Sequence, residues 1–220
     1  MTHGMICAAQ SEAADAGADI LKLGGNAVDA AIACALVQGV VDPLMCGIAG
    51  FGSLQLYLPA ENLHTCIDFH GRAPAAATPD MWQHLIEGET RDGFGFVLKG
   101  RVNDLGYQAI STPGSLKAYA EAHSAYGVLD WKTVVQPAID YARDGWQVRP
   151  HVHFWWSIRE QFGRTPNPER LAFSEAGRQL YCRPDGQPRQ VGEWIKNPDL
   201  ARTLTRIAEG GAESFYHGEI

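Results

Sequence analysis

Three groups of residues in this chain could do chemistry, and each needs a particular setting. Cys46 opens the glycine-rich run 46–53. Its thiolate would be a nucleophile if a histidine elsewhere took the proton, but cysteine is also a common small core residue, which is the reading favoured here. His151 and His153 would face the same way in an extended segment and offer two nitrogens to a metal. The sequence places no third ligand, so they read as structural or surface histidines with no metal bound. Gly47, Gly50 and Gly52 invite comparison with a phosphate-binding loop, which needs a strand before the glycines and a helix after them. Here a helical pattern precedes, a strand pattern follows, and no Lys-Ser or Lys-Thr pair comes after the glycines. Close backbone packing is the expectation at these positions.

These residues depend on the elements around them. Ser11 is read as the N-cap of a helix running to Leu23, with Ala13, Ala16, Gly17, Ile20 and Leu21 at helical spacing and Gly24-Gly25 as the stop. A second helix starts almost at once. It is apolar nearly all round, which predicts cover on both of its sides, and Asp42-Pro43 ends it. Residues 54–58 alternate like a half-buried strand, 59–62 reads as a turn and 64–69 as the returning strand of a hairpin. Thr112 followed by Pro113 predicts a helix to about Tyr126, with proline at the first helical position. Asp130 caps a further helix that Pro137 must kink or restart before Gly145. Beyond Trp155-Trp156, residues 165–168 read as a loop, Pro184-Asp185-Gly186 as a hairpin turn and 197–209 as a last helix.

The chain has 220 residues, 45% of them apolar, enough to bury a substantial core, and its length favours one domain spanning 1–220. A formal charge of -7, with lysines and arginines scattered, argues against nucleic-acid or anionic-membrane partners. Five cysteines with no CxxC pair suggest neither a disulfide framework nor a zinc ribbon, and fit a reducing compartment. The longest apolar run, 27–41, is shorter than the roughly 20 residues that span a bilayer. Met1 to Gly4 leaves no room for a signal peptide, which favours the cytoplasm over the periplasm.

The run Gly24-Gly25-Asn26-Ala27-Val28-Asp29-Ala30-Ala31 resembles a stretch near the start of γ-glutamyltransferases (γ-glutamyltranspeptidases). Further matches follow in order: Asp68-Phe69, residues 73–81 from Ala73-Pro74 to Asp80-Met81, Thr112-Pro113-Gly114-Ser115, Val134 to Ala138, Ala142-Arg143-Asp144-Gly145, and residues 215–220. Singly most are weak; as an ordered set they are specific. The resemblance implies an N-terminal-nucleophile hydrolase of α+β class. This chain would be the large-subunit portion of a four-layer αββα sandwich, incomplete without the C-terminal part. It implies γ-glutamyl transfer or hydrolysis through an acyl-enzyme on a threonine that a small-subunit partner carries, with no cofactor and no activity in this chain alone. The alternatives are a related amidase or acylase with a non-glutamyl substrate, and a non-catalytic partial chain.

Thr2 would become N-terminal if Met1 were removed, but it precedes a helix-forming region and does not end a core strand, so the nucleophile reading is set aside. Arg72 and His70 carry the substrate-binding expectation. Family members that bind glutamate hold its α-carboxylate with an arginine in an Arg-Glu-x-Ala-Pro segment, where a planar guanidinium meets both oxygens. Matching Ala73-Pro74 to that segment puts His70 at the arginine's position and Arg72 two residues later. Arg72 either takes over the contact or pairs with a nearby carboxylate, and His70 is the departure that favours a non-glutamyl branch.

Overall fold

The structure is a computed structural model that describes residues 4–159, 161–218 and 220. Thr2 therefore lies outside the described residues. In chain order the helices and longer strands are α1 (Ser11–Lys22), α2 (Ala27–Val41), β1 (Ser53–Leu58), β2 (Leu63–Asp68), β3 (Ile86–Glu89), β4 (Phe96–Leu98), α3 (Ser115–Tyr126), α4 (Trp131–Asp144), α5 (Pro150–Trp156), α6 (Asn167–Leu171), α7 (Glu175–Tyr181), α8 (Pro198–Gly210) and α9 (Glu213–Tyr216). Helix and strand are mixed, as an α+β reading requires. The chain divides into two units interleaved along the sequence: residues 1–71, 113–146 and 196–220 form the first, and 72–112 with 147–195 the second.

In the first unit, α2 is the central helix, packed by α1, α3 and α4, and α4 in turn carries α8. The all-round apolar pattern of α2 predicts this: Ile32, Ala33, Leu36, Val37 and Val41 are each at most 1% exposed. Helices α1 and α2 approach closely at Gly17, where a Cβ would stand 2.7 Å from Ile6 Cγ1 and 3.1 Å from the Ala30 carbonyl oxygen. Gly24, at φ +96°, stops α1 as expected. Its start differs from expectation. Gln10 is the N-cap, and Ser11, already helical, turns its hydroxyl to Glu12.

Asn26 and Asp29 form a reciprocal capping box at the start of α2. The amides of Val28 and Asp29 donate to Asn26 Oδ1, and the Asn26 amide donates to Asp29 Oδ2 at 2.9 Å. The resemblance-bearing motif is thus a helix start. The hairpin forms where expected, with β1 and β2 antiparallel from Ser53 opposite Asp68 to Leu58 opposite Leu63. Asn62 turns the chain in the left-handed region, which asparagine tolerates.

One proline reading is corrected, and at Pro137 the helix does not restart. Pro113 is not the first residue of α3, because Gly114 is the N-cap and its amide, with that of Ser115, donates to the Gly50 carbonyl. A Cβ on Gly114 would stand 2.5 Å from the Phe69 carbonyl oxygen, so the chain must pass here before it can coil. Helix α4 starts under the Asp130 cap as expected, but runs on through Pro137 to Asp144, and Gly145 ends it at φ +103°.

In the second unit β3 and β4 form a short bulged hairpin. Arg164 grips Asp92 in the hairpin turn by two bonds of 2.7 and 3.0 Å. Asp104 accepts the Thr165 amide and hydroxyl and the Arg170 guanidinium. Trp156, fully buried, meets Tyr181 edge to face. Residues 165–168, expected as a loop, instead lead into α6, with Pro168 in its first turn. The turn at Gly186 closes with Cys182 opposite Pro188, as expected of a hairpin. Among the described residues no helix is long and apolar enough to cross a membrane.

Candidate functional site

The hairpin positions His70. Phe69 extends the ladder one step past β2, its amide donating to the Gly52 carbonyl at 3.0 Å. Its ring turns toward α3 and meets Tyr119 edge to face with centroids 5.9 Å apart. Because side chains alternate along extended backbone, Asp68 and His70 then emerge together on the other face. There His70 donates its backbone amide to Asp68 Oδ1 at 3.0 Å, and His70 Nδ1 lies 2.7 Å from the same oxygen. Phe51 stands beside the imidazole with ring centroids 5.8 Å apart. The group is exposed: the His70 side chain is 64% accessible.

Arg72 falls in the second unit and His70 in the first, so the structure describes each in its own surroundings. Arg72 and Thr112 exchange backbone hydrogen bonds, Arg72 N to Thr112 O at 3.3 Å and Thr112 N to Arg72 O at 2.9 Å. Its side chain is exposed, and among the described residues its guanidinium has neither a hydrogen bond nor an ion pair.

The glycine-rich loop packs closely at Gly50 and Gly52, as expected, whereas a Cβ on Gly47 would itself meet nothing within 4 Å. Helix α2 precedes it and β1 follows. A Cβ on Gly39 would meet Gly47 Cα at 3.1 Å, one on Gly50 the Ser115 hydroxyl at 3.2 Å, and one on Gly52 the Phe69 ring at 3.1 Å. Cys46 is exposed, yet partial desolvation by its neighbours, reinforced by the Asp42 carboxylate, pushes its thiol up from the ordinary value. That is the wrong direction for a nucleophile at neutral pH.

The extended reading of 151–153 is corrected, since both histidines lie in α5. A helix turns side chains two apart by about 200°, so they cannot face one ligand together. His151 Nε2 accepts from the Trp155 indole, and His153 Nδ1 meets the Arg189 carbonyl.

Sequence reasoning named His70 but missed Asp68 as its partner. The signal was available in Asp-x-His at the end of an alternating strand.

A family model described as gamma-glutamyltranspeptidase matches residues 13–220. Among curated proteins, the chain is 36% identical to an "Acylase ACY 1 proenzyme" from Pseudomonas sp. (strain V22), over 100% of this chain and 37% of that protein. It is 34% identical to a "Glutathione hydrolase proenzyme" from Bacillus subtilis (strain 168), over 98% of this chain and 34% of that protein. The chain thus spans about a third of the length of these relatives. Among solved structures, the gamma-glutamyltranspeptidase of Helicobacter pylori superposes with a TM-score of 0.83 at 25% identity, covering 100% of this chain and 58% of that one.

Proposed function

The chain belongs to the γ-glutamyltranspeptidase family, and from that premise we propose that the protein it contributes to cleaves γ-glutamyl amides of the glutathione type by hydrolysis or transfer. The chain 1–220 acts as a single large-subunit domain and supplies scaffold and part of the substrate pocket. A C-terminal, small-subunit partner completes the αββα sandwich and carries a threonine with a free α-amine. The threonine hydroxyl attacks the amide carbonyl while the amine takes its proton. The tetrahedral oxyanion is stabilised by hydrogen-bond donors and collapses, the leaving amine takes the proton, and an ester-linked acyl-enzyme remains. Water or an acceptor amine resolves that ester, so hydrolysis and transfer share one intermediate. The protein is proposed to be cytoplasmic.

The observation that carries a carboxylate-bearing substrate is Arg72, exposed and without a carboxylate partner among the described residues. A second reading, an acylase acting on a non-glutamyl amide, draws on His70 at the family's arginine position and on the acylase name of a relative. The test is turnover. The full-length, processed protein is expected to release p-nitroaniline from γ-glutamyl-p-nitroanilide, and the 220-residue chain alone is not. Inactivity of the full-length protein on every γ-glutamyl amide, with turnover of other acyl amides, selects the second reading.

A further inference from the structure

The Asp68–His70 contact decides which ring nitrogen of His70 is available. A carboxylate has no proton to give, so the 2.7 Å approach of Nδ1 to Asp68 Oδ1 requires that Nδ1 carry the hydrogen. In the neutral imidazole the other nitrogen, Nε2, is then a bare acceptor. The His70 backbone amide donates to the same Asp68 oxygen and fixes the carboxylate, and the Phe51 ring stands 5.8 Å from the imidazole, tilted by 38°. Among the described residues the ring's hydrogen bond is made through Nδ1. An arginine at this position would have offered only donors; the neutral histidine offers the opposite.

The geometry points to His70 as a specificity-determining residue whose Nε2 accepts a hydrogen bond from a donor on the substrate's acyl chain, with Asp68 as its positioning residue. This rests on the substrate reading given above and sharpens it. The favoured acyl groups carry an amino group, as γ-glutamyl does. Glutaryl, the same chain without the amine, lacks the donor and is the disfavoured class. Phe51 supplies an apolar wall that suits the methylene chain in either case.

Two measurements on the full-length protein test this. With isotopically labelled histidine, the His70 ring signals are assigned by their loss in His70→Gln. They are expected to show Nδ1 protonated and Nε2 bare in the neutral ring. L-glutamate is expected to shift the Nε2 signal and glutarate to leave it in place. A neutral ring protonated at Nε2, no response to L-glutamate, or an equal response to both ligands overturns the inference. Kinetically, His70→Phe is expected to lower kcat/KM about tenfold for γ-glutamyl- and γ-aminobutanoyl-p-nitroanilide, the loss of one charge-assisted hydrogen bond, and to leave glutaryl-p-nitroanilide unchanged. Asp68→Ala should behave like His70→Phe, and Asp68→Asn, which keeps an acceptor for Nδ1–H, should retain most of the selectivity. A loss shared equally by the three substrates overturns the assignment. Failure to turn over γ-glutamyl amides at all sinks the proposed function, and the ligand response of Nε2 still decides the role of His70.

Discussion

The main-chain amide of Val128 donates to both carboxylate oxygens of Asp29, at 3.2 and 3.1 Å, across 99 positions of sequence. Asp29 is fully buried and at the same time closes the capping box of α2. Asn26 reaches the same connection by donating its side-chain amide to the Tyr126 carbonyl. The two polar residues of the resemblance-bearing motif therefore tie the start of α2 to the turn between α3 and α4. The space is tight, since a Cβ on Gly127 would stand 2.7 Å from Asp29 Oδ1.

Asp29→Ala should be among the most damaging single changes in the first unit. It removes the acceptor of the part-buried Asn26 and Val128 amides, at about 0.5–1.5 kcal/mol for each lost hydrogen bond, besides the lost cap. A loss of about 3 kcal/mol is expected in urea denaturation, with Asp29→Asn costing less because one acceptor oxygen remains. A change below about 0.5 kcal/mol for the alanine variant would show that water replaces these bonds.

A pair of glycine substitutions separates packing from turn formation. In Gly114→Ala the added methyl meets the Phe69 carbonyl oxygen at 2.5 Å, a backbone atom that cannot swing away, so the segment carrying Asp68 and His70 must shift. A cost of about 1–3 kcal/mol is expected, typical of overpacking, together with a changed His70 ring signal. Gly47→Ala meets nothing within 4 Å and serves as the control. Equal stability of the two variants would contradict the close approach at Gly114.

Acid should loosen the second unit through Asp92 and Asp104. The hydrogen-bonded Arg164 guanidinium holds the Asp92 carboxyl well below its ordinary value. Burial opposes ionisation of Asp104, but the Thr165 amide and Arg170 outweigh it, and that carboxyl is lowered too. A carboxyl lowered in the folded state contributes stability that is fully present above the unfolded value of about 3.9 and is lost as pH falls through the folded value. Asp104→Asn should therefore flatten the dependence of stability on pH below about 4 while leaving its shape above pH 6 unchanged. An unaltered acid limb in the urea midpoint against pH would remove Asp104 from the account.

Elements whose pattern is local were legible in the sequence. The apolar surround of α2, the double glycine after α1, the alternation of β1 and β2 and the Asp130 cap each follow from neighbours a few residues apart. The misread positions were settled by partners far along the chain. The start of α3 is set by the Gly50 carbonyl and Phe69, more than forty residues earlier, so Pro113 gave a misleading boundary. Ser11 lost its capping role to Gln10, whose side chain is drawn to Asp42 at 3.2 Å. His151 and His153 read as extended because two residues are too few to show a period, whereas Pro150 at the first turn of α5 was the better signal. At the candidate site, Arg72 and His70 were found through the resemblance, and their surroundings came only from the structure.

Arg72→Ala in the full-length enzyme tests the carboxylate grip. An exposed guanidinium that meets both oxygens of a substrate carboxylate should contribute about 1.5–3 kcal/mol. Its removal should raise KM for γ-glutamyl-p-nitroanilide tenfold or more and leave γ-aminobutanoyl-p-nitroanilide, which has no α-carboxylate, largely unaffected. Arg72→Lys should recover only part of the loss, because an ammonium cannot meet both oxygens in one plane. His70→Arg should lower γ-glutamyl turnover as His70→Phe does, because a guanidinium offers no acceptor to the substrate amine. Under the acylase reading the wild type instead cleaves glutathione poorly, and His70→Arg improves it. Efficient cleavage of glutathione by the wild type that is unchanged by Arg72→Ala would defeat the role of Arg72 and leave the carboxylate to residues outside this chain.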